Sequence, residues 1–270
     1  LTNVEARQPR HNRDEVRDLL LQKGRAILIE EGLGTGAEVL TFKRVFERVE
    51  RDTGIHLTNA SVIRRLWENL ADFQADVLVE LAQDENLDEF NRTVGAVDPV
   101  LAAVALSSPE TRDRALRELC RVGGAANVDA VRQSSYWPVS IAVWALAAFD
   151  EPLEHRKRIE MALVAGYDAF TDRIAAVYAA LAALLGYRLR EQFTLHQFAI
   201  AADALGQGCG LRDRVDQSKM EGIVRKSGPD GEAQEWTLFA VAFEGLVRQF
   251  FEIDPNWEQD QMNGSASSHP

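Results

Sequence analysis

The chain has 270 residues, which allows two domains or one large one. With 46% hydrophobic and 27% charged residues, its composition excludes a disordered or fibrous protein. A formal net charge of −12 speaks against a protein that coats nucleic acid without regard to sequence, although a local basic face can still sit on an acidic body.

Two cysteines, Cys120 and Cys209, are too few for a disulfide framework, and we expect a reducing, cytoplasmic setting. Every long apolar run is broken by charges, so no membrane span is expected. The polar start holds no signal-peptide core, and Leu1 in place of Met leads us to expect a native start further upstream.

Residues 1–12 read as a flexible basic arm with Arg7, Arg10 and His11 around Pro9. It is either a plain tail or an arm that follows a DNA groove. From Arg13, the residues Val16, Leu19, Leu20, Ala26 and Ile27 mark one helix face, which Gly32 and Gly34 to Gly36 stop. Phe42, Val45, Phe46 and Val49 give the next face, with Thr41 as N-cap and Gly54 as helix stop. After Ile55-His56-Leu57, a second start at Thr58-Asn59 leads into Val62, Ile63, Leu66 and Trp67. Ser61, Arg64, Arg65 and Glu68 lie between them. Asn69 and Asp72 have capping-box spacing before a third face, Phe73, Val77, Leu78 and Leu81. Helix, tight turn, short polar-faced helix, then helix is the order of a helix-turn-helix DNA reader over residues 13–82.

A reading helix needs side chains that reach base edges and phosphates, and Thr58, Asn59, Ser61, Arg64 and Arg65 supply that kit. Lys43 and Arg44 are placed to hold the DNA backbone. The plainer reading makes Arg64 and Arg65 a solvated face paired with Glu68 or Asp72, Asn59 an N-cap only, and His56 a turn residue.

This unit resembles the TetR family of bacterial transcriptional regulators. The matching parts are a bracing helix (Val16 to Glu31), a Gly-rich turn (Gly32 to Gly36), a second helix (Thr41 to Thr53) and a turn (Gly54 to Leu57). A recognition helix (Thr58 to Trp67) and an anchoring helix (Asn69 to Ala82) complete it. Ala60-Ser61-Val62-Ile63-Arg64-Arg65-Leu66 is similar to the family's recognition segment. The chain departs from the family in carrying Ile63 where Tyr is usual, and Asn69-Leu70-Ala71 where Lys is usual. The resemblance covers the first third of the chain. It implies an all-α protein, an N-terminal helix-turn-helix unit followed by a larger ligand-binding and dimerisation domain. It further implies a homodimer on a double-stranded DNA operator, a repressor relieved by a small-molecule effector.

Residues 83–255 read as that second domain, helix after helix. Phe90, Val94 and Val97 begin it, and Pro99 interrupts or restarts the pattern. Ser107-Ser108-Pro109-Glu110 starts a helix that Gly123-Gly124 loosens. Trp137 to Phe149 is apolar nearly all round and should be buried on several sides. A long helical pattern runs from Glu151 to about Arg190. Leu195 to Leu205 follows, ended by Gly206, Gly208 and Gly210, and Gly228-Pro229-Asp230-Gly231 makes a turn. Trp236 to Phe251 is the last helix, and 256–270 a disordered tail. No strand period and no internal repeat competes. By the resemblance, the helix from Glu151 and the helix from Trp236 pair with their mates in the dimer. The stripe Trp236, Phe239, Ala240, Phe243, Leu246 and Val247 serves either core or interface.

Trp137, Trp144, Phe149, Tyr167 and Phe170, with Tyr178, are candidates to line an apolar effector pocket, or are simply core. Nothing points to an enzyme. There is no metal-ligand spacing, nucleophile elbow or phosphate loop, so no catalytic residue, metal or cofactor is expected. Gly206-Gln207-Gly208-Cys209-Gly210 follows a helix and reads as its end. His155 and His196 lack obvious partners. The alternative function is a helical ligand-binding or protein-interaction module without sequence-specific DNA binding.

Overall fold

The computed structural model describes residues 12–33, 37–57, 63–83, 87–103, 106–148, 155–228 and 232–257, with Ile63 and Arg64 in backbone only. The fold is all-α as expected, and it divides into two compact units, each described by itself.

The first unit takes the described residues of Leu1–Asp84 and Ser135–Tyr167. It contains α1 (Arg13–Glu31), α2 (Phe42–Thr53), α3 (Ile63–Leu66), α4 (Leu70–Gln83), α7 (Trp137–Ala148) and the start of α8 (Arg156–Leu184). Thr41 caps α2, its Oγ1 accepting from the Arg44 N–H at 3.3 Å. Gly54 closes α2 in the left-handed conformation at φ 71°. Asn69 Oδ1 accepts from the Asp72 N–H at 2.9 Å and so opens α4. The spaced apolar residues Val45, Phe46 and Val49 of α2 and Phe73, Val77, Leu78 and Leu81 of α4 share one core with Leu20 and Leu28 of α1. Gly24 sets how closely α1 approaches α4, since a Cβ there would lie 2.8 Å from Val77 Cγ2.

The sequence boundary at 82/83 assigned α7 to the second region, whereas 135–167 belongs with the first unit. Val139, Val143 and Ala147 of α7 and Ile159 of α8 are buried in the same core as Phe73. The Tyr136 hydroxyl donates to Leu81 O at 2.8 Å. A helix apolar all round needs cover on several sides, and this core supplies it.

The second unit takes the described residues of Glu85–Ser134 and Asp168–Pro270. It holds α5 (Asp88–Ala103), α6 (Pro109–Gln133), the rest of α8, α9 (Leu195–Val215) and α10 (Leu238–Phe250). Here the structure corrects several expectations. Two short antiparallel ribbons are present: β1 (Tyr187–Leu189) pairs with β4 (Phe251–Ile253), and β2 (Ile223–Lys226) with β3 (Ala233–Trp236). Strands of three or four residues are too short for a period of two to stand out. The long helix therefore ends at Leu184, and Gly186, at φ 71°, turns the chain into β1. Trp236 and Phe251 lie on strands, so the last helix is shorter than its apolar run.

The glycines were also misread. Helix α6 runs unbroken through Gly123 and Gly124, which admit neighbours instead. A Cβ on Gly124 would lie 2.6 Å from Ala240 Cβ of α10, and one on Gly123 would lie 3.1 Å from Val97 Cγ1 of α5. Helix α9 continues past Gly206, Gly208 and Gly210, although each glycine costs about 1 kcal/mol against alanine. Its far end is held by buried Asp213, which accepts from Arg132 at 2.6 and 2.7 Å. Helix α5 likewise carries Pro99 within it.

Phe239, Ala240 and Val247 of α10 are buried in the second unit's core. Trp257 falls in the stretch expected to be disordered. Instead its ring lies under the Arg112 guanidinium at 4.3 Å and its Nε1 donates to Ala183 O at 2.9 Å.

Candidate functional site

The expected reading surface is set by how α3 is held. Trp67, just past α3, is 5% exposed. Its Nε1 donates to Asp76 Oδ2 at 2.8 Å, and its ring meets Phe73 edge-on at 4.9 Å. Arg17 of α1 donates to the same carboxylate at 2.8 Å, and Arg158 of α8 joins it. Burial pushes the Asp76 carboxyl up, but the bonds from Trp67, Arg158 and Arg17 outweigh it and hold the group below the usual carboxylate range. Arg13 of α1 donates to the Arg65 carbonyl at 2.5 Å. Arg13 of α1 thus holds the α3 backbone, and Trp67, just past α3, is held to α4 through its side chain.

Of the candidate DNA-binding residues, Thr58, Asn59 and Ser61 lie outside the described residues. Arg64 stands on α3 in backbone only, and the Arg65 side chain is exposed there. Lys43 projects from the start of α2, 82% exposed and 3.9 Å from Glu47. Arg44 is engaged otherwise, its Nη2 meeting both Glu31 oxygens at 2.5 and 2.6 Å. Arg48 does the same with Glu30 and also bonds Asp52 at 2.7 Å. The basic face of α2 is therefore largely matched by acids of α1, a pairing that spacing within α2 does not reveal.

The candidate pocket residues are divided between the two units. Trp144 meets Tyr167 edge-on at 5.4 Å in the first unit, where Trp137 is half-buried on α7. Phe170 packs against Ile174, Ala175 and Ala199 in the second. Phe149 lies outside the described residues. A cavity of about 120 Å³ lies elsewhere, among α5, α6, α8, α9 and α10 of the second unit. Val97, Leu119, Cys120, Tyr178, Phe198 and Phe243 are among its lining, and Trp137, Trp144, Tyr167 and Phe170 are not. Among the described residues of the aromatic set named from sequence, Tyr178 is the one that reaches it. The signal for the rest lay in Gly123-Gly124, small residues that let α5 and α10 close over α6.

The cavity wall carries no Asp, Glu, Lys, Arg or His among the described residues. Burial, with the Glu244 charge, pushes the Cys120 thiol up to about 12, so it stays protonated. Burial likewise raises the Tyr178 phenol. Both cysteines are free.

No family model matches the chain, and a comparison with curated proteins finds no match. Function therefore rests on geometry. Among the described residues, no cluster of three or more His, Cys, Asp or Glu is placed to hold a metal, and no helix is long and apolar enough to cross a membrane. The two histidines thought partnerless have acidic neighbours: His155 Nε2 lies 2.9 Å from Asp72 Oδ1, and His196 Nδ1 lies 3.5 Å from Asp172 Oδ1. His56 sits in its turn 3.0 Å from Glu50.

Proposed function

We propose that the chain is a cytoplasmic, TetR-like transcriptional regulator, a homodimer that binds a double-stranded DNA operator and is controlled by a small apolar ligand. The observation that carries this is the way the short α3 is presented. Helix α2 stops at the left-handed Gly54, and α3 follows with Arg65 outward. Arg13 then ties the α3 backbone to α1, and the Trp67 side chain ties the residue after α3 to α4. A reading helix needs such a rigid mount and an open cationic side. The cavity offers the effector a place of its own. A ligand that favours a state with misplaced reading heads lowers DNA affinity by linkage, and the protein then acts as a repressor.

The dimer uses the exposed apolar positions of α9, Ile200, Leu211 and Val215, since Trp236, Phe239, Ala240 and Val247 of the expected stripe are buried within the chain. A palindromic operator calls for such a two-fold.

A second reading, a helical ligand-binding module that does not read DNA, is favoured by the acid pairing of Arg44 and Arg48 and by the net charge of −12. Selection of bound fragments from genomic DNA, followed by a salt titration, separates the two. The regulator gives a sequence-specific excess and a steep salt slope, and the module gives neither.

A further inference from the structure

We infer that the cavity of the second unit takes a neutral, single-ring aromatic bearing one hydrogen-bonding group, of which phenol is the simplest, and that Tyr178 and Asn127 recognise that group. This rests on the reading of the cavity as the effector site and names the ligand class.

Size comes first. The cavity is about 120 Å³. An engineered apolar cavity of about 150 Å³ binds benzene, so this somewhat smaller space limits the ligand to about one six-membered ring. The wall is aromatic as well as apolar. Tyr178 meets Phe198 edge-on at 4.9 Å and 79°, and Phe239 stacks on Phe243 at 5.7 Å and 22°. Such faces and edges accept another ring in offset or edge-on contact.

Charge comes next. With no ionic side chain among the described wall residues, a carboxylate or ammonium would be buried without a partner. The ligand is therefore neutral.

The polar preference comes from two side chains with hydrogen-bonding capacity to spare. Thr93, also in the wall, spends its hydroxyl on Glu89 O at 2.8 Å. Tyr178 and Asn127, both half-buried, also line the cavity, and neither the Tyr178 hydroxyl nor the Asn127 amide makes a hydrogen bond to another described residue. Both side chains therefore have hydrogen-bonding capacity to offer a ligand. A phenol hydroxyl both donates and accepts, so it suits a phenol and an amide together.

Calorimetric titration of the full chain with phenol, toluene and benzoate, read alongside thermal shift, tests this. Phenol should saturate one site per chain, bind about tenfold more tightly than toluene, as one net hydrogen bond implies, and raise Tm. Benzoate should do neither. Tyr178→Phe keeps the ring, and should bring phenol down to the toluene affinity while toluene itself still binds. Phenol no tighter than toluene, benzoate bound as well as phenol, or a Tyr178→Phe protein that still prefers phenol would each overturn the inference. Phenol binding as expected with operator affinity unchanged would leave the ligand class standing and remove the regulatory reading instead.

Discussion

The indole N–H of Trp67 donates to Asp76 Oδ2 at 2.8 Å, and that single bond ties the residue after α3 to the middle of α4. Arg17 and Arg158 bring α1 and α8 to the same carboxylate. One acid that is 8% exposed thus gathers four segments of the first unit.

Its titration should be felt in stability. The folded pKa of Asp76 lies below its unfolded value, because the bonds from Trp67, Arg158 and Arg17 outweigh burial. Between the two values the unfolded chain binds the extra proton. The stabilisation is therefore complete above the ordinary carboxylate range and lost as pH falls through the lowered value. Urea unfolding at a series of pH values should show an acid-side decline that is shallower in Asp76→Asn. Asp76→Ala leaves the buried indole without its acceptor and frees two part-exposed guanidinium groups, and should cost about 1–3 kcal/mol at neutral pH. An unchanged unfolding midpoint would refute the role given to this residue.

Replacing Arg64 and Arg65 together by Ala should weaken operator binding and flatten its salt slope, with melting near wild type. The Arg13 bond goes to the Arg65 backbone carbonyl, so truncating the side chain spares it. Arg44→Ala should behave in the opposite way. Its guanidinium is held by Glu31, so the loss is one of stability, about 1 kcal/mol or less for an exposed pair, with little change at the operator. Equal losses of operator affinity in both proteins would show that Arg44 leaves Glu31 for DNA.

Gly124→Ala should destabilise the second unit by about 1–3 kcal/mol, although alanine is the better helix former by about 1 kcal/mol. The new methyl would stand 2.7 Å from Ala240 Cα, an atom that cannot swing aside without moving α10. Because Gly124 also lines the cavity, small-molecule binding should fall with it. Denaturation curves with and without phenol measure both effects, and a stabilised Gly124→Ala protein would contradict the packing.

Leu211→Glu on α9 should yield a folded monomer in sedimentation. Leu211 is 48% exposed in the single chain, so its burial matters only in the pair. A dimer that survives this change at micromolar concentration would move the interface away from α9.

Local signals proved readable where local chemistry decides. Thr41, Gly54 and Asn69 mark helix ends by hydrogen bonds or backbone angles that need only their neighbours, and Ser108 does the same at the start of α6. The sequence alone is silent where distant residues decide. Gly206 to Gly210 resembles a helix end until Arg132 is known to hold Asp213 beyond it. The pairing of Arg44 and Arg48 with Glu31 and Glu30 depends on α1 lying against α2. Aromatic residues at helical spacing, Trp137, Trp144, Phe149, Tyr167 and Phe170, point to a pocket where those residues cluster in sequence. The cavity wall is instead assembled from α5, α6, α8, α9 and α10, whose meeting no single stretch records.

The ribbon of β1 and β4 joins Tyr187 to Ile253, with α9, the β2–β3 hairpin and α10 all lying between them in the chain. A growing polypeptide presents Tyr187 long before its partner exists. The clasp therefore closes a long stretch of chain, and the entropic cost of that closure must be met before the clasp returns anything. A chain cut short before Phe251 would keep every helix of the second unit through Phe250 and lose this clasp.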